Sequence, residues 1–237
     1  MLITKYGTIQ PIYEIGKIAK KYGVPFHTDA VQAIGSIRID VEELGIDLLS
    51  MSAHKFYGPK GTGVLYVKKG IPFENLIHGG GQENGKRAGT ENVAGIVGTG
   101  KAIYNAYSHF EEKNKKIQSL RDYYIEQIMQ QIPTARLNGD RRKRLPGNAN
   151  FSFGTITGAD LVKALNKEEI CTSSGSACSS GFVRPSHVLV AMGLNKREVE
   201  TALRVTIGKN NTKDEIDQAV RCIRRYVENE SENRVSN

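Results

Sequence analysis

The sequence predicts an α/β protein in which part of a doubly wound sheet is followed by a smaller α+β unit. Three observations carry this. Helix and strand patterns alternate up to Gly70, two long amphipathic segments occupy the middle, and short strands and helices mix from about Ala135 onward. Alternating helix and strand is the rhythm of a sheet wound with helices. The expected organisation is a partial large domain with its connecting helices over residues 1–133, a small α+β domain over 134–230, and a flexible tail over 231–237.

Each element has a local reason. "PIYEIGKIAKKY" opens on Pro11, places Ile12, Ile15, Ile18 and Ala19 on one face, and stops at Gly23, which predicts a helix. "VPFHTDA" reads as a short buried strand with a polar end, and "VEELG" as a helical turn. "IDLLSMSAH" is apolar on both sides, as a central parallel strand is. "GTGVLYVKKG" is a further strand closed by Gly70. "VAGIVGTGKAIYNAY" and "KIQSLRDYYIEQIMQQI" carry helical periodicity, the second ended by Pro133. Then come a strand at "NANFSF", a helix at "GADLVKALNKE", a strand entering a loop at "ICTSS" and a helix at "SHVLVAMG". A strand at "ALRVTIG" and a closing helix at "TKDEIDQAVRCIRRYVENE" follow, the latter begun by Thr212 with acid in its first turn.

Composition narrows the function classes. The chain has 237 residues, a net charge of +8 and three cysteines, Cys171, Cys178 and Cys222. An odd cysteine count in a chain of this length predicts no disulfide framework, and no Cys/His spacing predicts a metal site. The basic residues are dispersed, and the one cluster, "RRKR" at Arg141 to Arg144, reads as a solvated loop, so direct nucleic-acid binding is not expected. No apolar run reaches the roughly 20 residues that span a bilayer, and the N-terminus shows no signal-peptide pattern, so a cytoplasmic location is the expectation.

The chemistry gathers around "SAHKFYGPKGTG". A lysine at the end of a buried strand, on a Gly/Pro turn, is expected to be desolvated on one side, which suits amine nucleophile chemistry. Asp29 ends the preceding strand, and ligands of open α/β sheets bind at the carboxyl ends of strands. Asp29 and Lys55 would then face one crevice. An acid for a pyridinium nitrogen plus a lysine is what pyridoxal phosphate asks of its protein. Ser52 and His54 flank the lysine as phosphate donors, and the glycine-rich "GGGQENGKRAGT" can form an anion-binding nest. Cys178 sits among serines and glycines, unlike a packing thiol, whereas Cys171 and Cys222 read as packing residues. His27 reads as a hydrogen-bonded structural histidine, and Arg204 stands between a ligand-binding and an edge-strand role.

Taken together, "HTDAVQA", "SAHKFYGPKGTG", "GGGQENGKRAGTEN" and "SSGSACSSG" resemble the cysteine desulfurases of the NifS/IscS type, class-V aminotransferase-like enzymes of pyridoxal-phosphate fold type I. The likeness runs from about Gly7 to the closing helix, and the cysteine loop is similar to that of the first group of these enzymes. The resemblance implies pyridoxal 5′-phosphate as cofactor, carried by Lys55, which also shuttles the substrate α-proton. It implies that Asp29 pairs with the pyridine nitrogen and Gln32 with the ring oxygen. Ser52 and His54 would bind the phosphate, with Thr90 reaching the phosphate of a neighbouring subunit in a homodimer. Arg204 would clamp the substrate carboxylate, and Cys178 would take sulfur from L-cysteine as a persulfide, leaving L-alanine. An iron–sulfur scaffold or a tRNA-thiolation enzyme would accept the sulfur.

The same resemblance implies a longer N-terminal part than this chain presents, carrying a further phosphate-binding turn and a histidine stacked on the ring. "ITKYG" stands where the family has an Asn-Asn-Glu-Ile-Gly run. On that ground the chain is expected to be N-terminally truncated relative to the family. An inert homologue acting as an interaction module, or a selenocysteine-lyase-like enzyme, stay open as alternatives.

Overall fold

The computed structural model describes residues 6–174 and 186–235. The described residues divide into two compact units, one of residues 10–110 and one of residues 6–9 with 111–174 and 186–235.

The first unit opens with α1 (Ile12–Tyr22), closed by Gly23 in the left-handed conformation, whose N–H reaches the Lys20 carbonyl. Its packing differs from the expected apolar stripe. Ile12 and Gly16 are buried, while Ile15 and Ile18 are exposed. The reason is a backbone approach: a Cβ at Gly16 would stand 2.1 Å from the Leu44 carbonyl oxygen. The helix therefore seats on the 41–45 turn through its glycine, and the isoleucines are turned away.

Strands β1 (His27–Asp29), β2 (Leu48–Ser52) and β3 (Gly63–Val67) form a sheet in that order. β1 and β2 are parallel, with Asp29 opposite Ser50. β3 runs antiparallel to β2. Only a 3₁₀ turn (Ala53–Phe56) and a tight loop join β2 to β3, too short for the crossover a parallel neighbour needs. The core beneath the sheet comprises Ile12, Ala30, Ala33, Ile46, Leu49 and Phe56, with Ala102 and Ala106 from the long helix. After the short α2 (Gln82–Gly85), α3 (Val93–Ser108) begins on Asn92, whose side chain accepts from Gly95 N–H.

The second unit contains α4 (Phe110–Gln131), whose Ile117, Tyr124, Ile125 and Ile128 face a core shared with Phe151, Phe153, Leu161, Leu203 and Ile223. Its antiparallel sheet orders β4 (Arg136–Leu137), β5 (Asn148–Ser152) and β6 (Ala202–Thr206). α5 (Gly158–Asn166) starts on Thr157, which accepts from Asp160 N–H. α6 (His187–Ala191) and α7 (Lys196–Glu200) follow, the latter under a capping box of Asn195 and Glu198. α8 (Lys213–Val235) closes the unit. The strand expected at "ICTSS" is one isolated bridge, Ser173 to Arg204.

Two local readings are corrected by burial. Arg144, read as part of a solvated loop, is 3% exposed, and Nη2 donates to the Asn138 carbonyl at 2.9 Å and Nε to the Asp140 carbonyl at 2.7 Å. Burial lowers its pKa to about 10. Arg141, Arg142 and Lys143 are exposed as expected. Cys171, read as packing, is exposed, because its segment makes one bridge rather than a strand, whereas Cys222 is buried in the core. Among the described residues no helix is long and apolar enough to cross a membrane, and no group of His, Cys, Asp and Glu could hold a metal ion.

Candidate active site

The chemistry of the first unit collects where β1 and β2 end. Ala30 N–H donates to the Ser50 carbonyl at 2.8 Å, which holds the two strand ends level. Asp29 is exposed there, and its Oδ1 accepts from Val31 N–H at 2.8 Å, so the carboxylate is set by its own turn. Gln32 follows, half-buried, in a turn closed by Ala33 N–H on the Ala30 carbonyl.

Beside it, β2 leads through Ser52 into the 3₁₀ turn. Ala53 and Phe56 take its buried positions, so His54 and Lys55 turn outward and are exposed. The one-sided burial expected for Lys55 is therefore not present in this chain. Ser52 Oγ and His54 Nδ1 lie 2.9 Å apart, a hydroxyl–imidazole pair next to the lysine. Tyr57 caps the turn at a φ of 68°, and Gly58 follows it. A Cβ at Gly58 would stand 2.9 Å from both the Ala53 oxygen and the Ala53 Cβ, so the glycine keeps the lysine turn tight. His27 Nε2 and Ser50 Oγ are 2.8 Å apart, in agreement with a structural role for that histidine. Ser50 had no part in the sequence reading. Its position two residues before Ser52 is the signal that would have placed it on the same strand.

Thr90 lies at the end of the glycine-rich stretch, exposed, after Gly89, whose N–H donates to Gln82 Oε1 at 3.1 Å. A cavity of about 440 Å³ in this unit lies elsewhere, at the other end of the strands, lined by Lys17, Lys20, Glu42, Asp47 and Lys68. It holds none of the predicted residues.

In the second unit, Arg204 is the middle residue of β6 and is half-buried. Burial holds its guanidinium below its ordinary pKa. It exchanges two backbone hydrogen bonds with Ser173, at 2.7 and 3.1 Å. The face of β5 beside it is polar and buried: Asn148, Asn150 and Ser152, with Asn138 behind them. Asn138 Oδ1 is buried without a hydrogen-bond partner among the described residues. Cys178 lies outside the described residues. The first unit thus brings together Asp29, Gln32, Ser52, His54 and Lys55, while Arg204 is built in the second.

A carboxylate, an amide, a hydroxyl–imidazole pair and an amine thus lie at the end of an α/β sheet where ligands of such sheets bind. The chain belongs to the class-V aminotransferase family, whose profile matches residues 2–219. It is 51% identical over 228 residues to the cysteine desulfurase IscS of Clostridium botulinum, covering 95% of this chain and 57% of that protein. A solved NifS-like protein of Rickettsia africae matches it with a TM-score of 0.87 at 31% identity, over 95% of this chain and 59% of that one. Another NifS-like structure matches with a TM-score of 0.86 at 38% identity, over 94% and 58%. The expected fold type I is the fold of these structures. The chain spans somewhat over half the length of the relatives it matches.

Proposed function

We propose that this protein is a pyridoxal 5′-phosphate-dependent cysteine desulfurase, converting L-cysteine to L-alanine and a persulfide on Cys178. The observation that carries the reading is the shared end of β1 and β2, from which Asp29 and the Lys55 turn both leave the sheet. The names of the relatives support it.

The residues present fit the cofactor by their donor chemistry. Asp29 is an acceptor for a protonated ring nitrogen, and Gln32 offers an amide to the ring oxygen. The Ser52–His54 pair, 2.9 Å apart, offers phosphate donors, and Lys55 is exposed beside it to form the covalent link. Thr90 would serve the phosphate of a second subunit, which makes the working form a homodimer. Bound there, the coenzyme supplies an electron sink that acidifies the substrate α-hydrogen and loosens its Cβ–S bond. Lys55 Nζ takes and returns that proton. Arg204 binds the substrate carboxylate through two parallel N–H bonds. The Cys178 thiolate would attack the substrate sulfur, an S–S bond forming as the Cβ–S bond breaks. The released electron pair stays on the carbon skeleton, which is protonated to alanine, and the outer sulfur is then handed to an acceptor. An iron–sulfur scaffold or a tRNA-thiolation enzyme in the cytoplasm fits that product.

The test is spectroscopic. Adding pyridoxal phosphate to the purified protein should produce an absorption band near the visible edge that Lys55→Ala lacks. Sulfide released from L-cysteine with a reductant should vanish in Cys178→Ser. No band and no sulfide, with the protein alone or with the upstream half of an IscS relative supplied as a second polypeptide, would overturn the reading in favour of an interaction module.

A further inference from the structure

Strand register shows what stands beside Arg204. The bonded pairs of β5 and β6 are fixed from their flanks. Ile207 N–H donates to the Gly147 carbonyl at 2.7 Å and Phe153 N–H to the Thr201 carbonyl at 3.3 Å. Bonded and unbonded pairs alternate along an antiparallel ladder. Asn150 and Arg204, which are directly opposed, therefore form an unbonded pair. Side chains of such pairs stand closest, at a Cα separation of about 4.5 Å. The outer edge agrees: the N–H and carbonyl of Arg204 both turn away from β5 to bond Ser173.

The two side chains also share a face. Leu203 and Val205 enter the hydrocarbon core with Ala149 and Phe151. Alternation then puts Asn150 and Arg204 together on the opposite face. Asn150 is only 4% exposed, and its amide is held in one orientation: Oδ1 accepts from Asn138 Nδ2 at 2.8 Å. Asn138 Nδ2 also donates to Ser152 Oγ at 2.8 Å, and Ser152 Oγ donates to the Glu198 carbonyl at 2.7 Å. Asn138 N–H in turn bonds the Asn150 carbonyl at 2.8 Å. A chain of fixed amides thus ends at Asn150, the register partner of Arg204.

We propose that Asn150, locked by Asn138, is the positioning residue that sets the direction of the Arg204 guanidinium and so its selectivity for a substrate carrying a free carboxylate. In naming that substrate as L-cysteine the proposal rests on the desulfurase reading. Planar, two-bond recognition of a carboxylate needs the guanidinium held in one plane. A neighbour that cannot rotate supplies that restraint before substrate arrives.

Two measurements test it. The first follows the Arg204 Nε–H resonance in ¹⁵N-labelled protein. Asn150→Ala should speed its hydrogen exchange about tenfold or more, while the Phe151 and Leu203 amide signals stay dispersed. An unchanged exchange rate overturns the proposal. If Asn150→Ala does not fold, Asn138→Leu leaves Asn150 in place but removes the side-chain bond to its Oδ1, and should move the same resonance in the same direction. The second compares L-cysteine with cysteamine, which has the amine and thiol but no carboxylate. Asn150→Ala should raise the KM for L-cysteine about tenfold and leave cysteamine turnover as it was, following the cost of a misplaced binding group. Equal losses on both substrates overturn the selectivity claim. If the native protein releases sulfide from neither, the desulfurase reading fails, and the exchange measurement still decides whether Asn150 orients Arg204.

Discussion

Asp29 on β1 and Ser50 on β2 are register partners across the one parallel strand pair among the described residues, and Ala30 N–H bonds the Ser50 carbonyl at 2.8 Å. The two strands therefore finish level. The carboxylate leaves one, and two residues beyond Ser50 the other enters the Ser52–His54–Lys55 turn. This levelling sets the carboxylate and the lysine turn at the same end of the sheet.

Charge at position 29 is the first consequence. Asp29→Asn keeps the shape and the turn-forming oxygen but removes the negative partner of a protonated ring nitrogen. We expect pyridoxal phosphate to be retained about tenfold less tightly, as for loss of a charge-assisted bond. Equilibrium dialysis read by absorbance measures it, and unchanged retention would exclude Asp29 from the site.

Gly16 makes a prediction about stability. A Cβ there meets the Leu44 carbonyl oxygen at 2.1 Å, and backbone cannot swing aside as a flexible side chain does. Gly16→Ala should destabilise the protein by about 1–3 kcal/mol, the usual range for forced overpacking, despite the better helix propensity of alanine. Urea unfolding gives the number. A more stable variant would mean that α1 does not seat on the 41–45 turn.

The cysteines should separate by reactivity. Cys171 is exposed and Cys222 is buried. Brief iodoacetamide treatment of the folded protein should alkylate Cys171, while Cys222 should need denaturant. Peptide mass spectrometry reads both sites, and equal labelling in native buffer would contradict the core placed around Cys222.

Acid should weaken the second unit. The Glu198 carboxylate is held below its ordinary pKa first by the Asn195 backbone N–H and then by Arg136. Backbone N–H groups of Lys143 and Arg142 do the same for Asp140, and that of Thr212 for Glu215. Each folded-state pKa lies below the unfolded one, so the folded protein binds these protons less readily. The stability they contribute is present above the ordinary carboxylate range and is lost as pH falls through the folded values. Melting temperature should drop from about pH 5 downward, given ordinary carboxylate values near 4. Glu198→Gln should melt lower at neutral pH and lose less on acidification. A parallel decline in variant and native protein would show that Glu198 contributes nothing to the slope.

Much of this was legible in the sequence because it is local. Gly23 ends α1 where it should, Thr212 stands at the start of α8, and Asp29 and Lys55 follow the apolar runs that become β1 and β2. What escaped depends on distant partners. Ile15 and Ile18 carry the right period for burial, yet the contact passes through Gly16, and periodicity registers side chains rather than a backbone approach. Arg144 looks like its charged neighbours in the sequence. Only the fold brings the Asn138 and Asp140 carbonyls within reach of its guanidinium. The reversal of β3 follows from a loop length that was visible, but strand patterns by themselves carry no direction.

All five residues of β5 are buried, yet amides and a hydroxyl alternate with hydrocarbon along it. The two sides of this strand should drift under different rules. Ala149 and Phe151 sit in a greasy layer where a change of similar bulk is absorbed. Asn148, Asn150 and Ser152 must each keep a matched donor or acceptor, so a saturation library would return a strand permissive at every second codon and silent at the others.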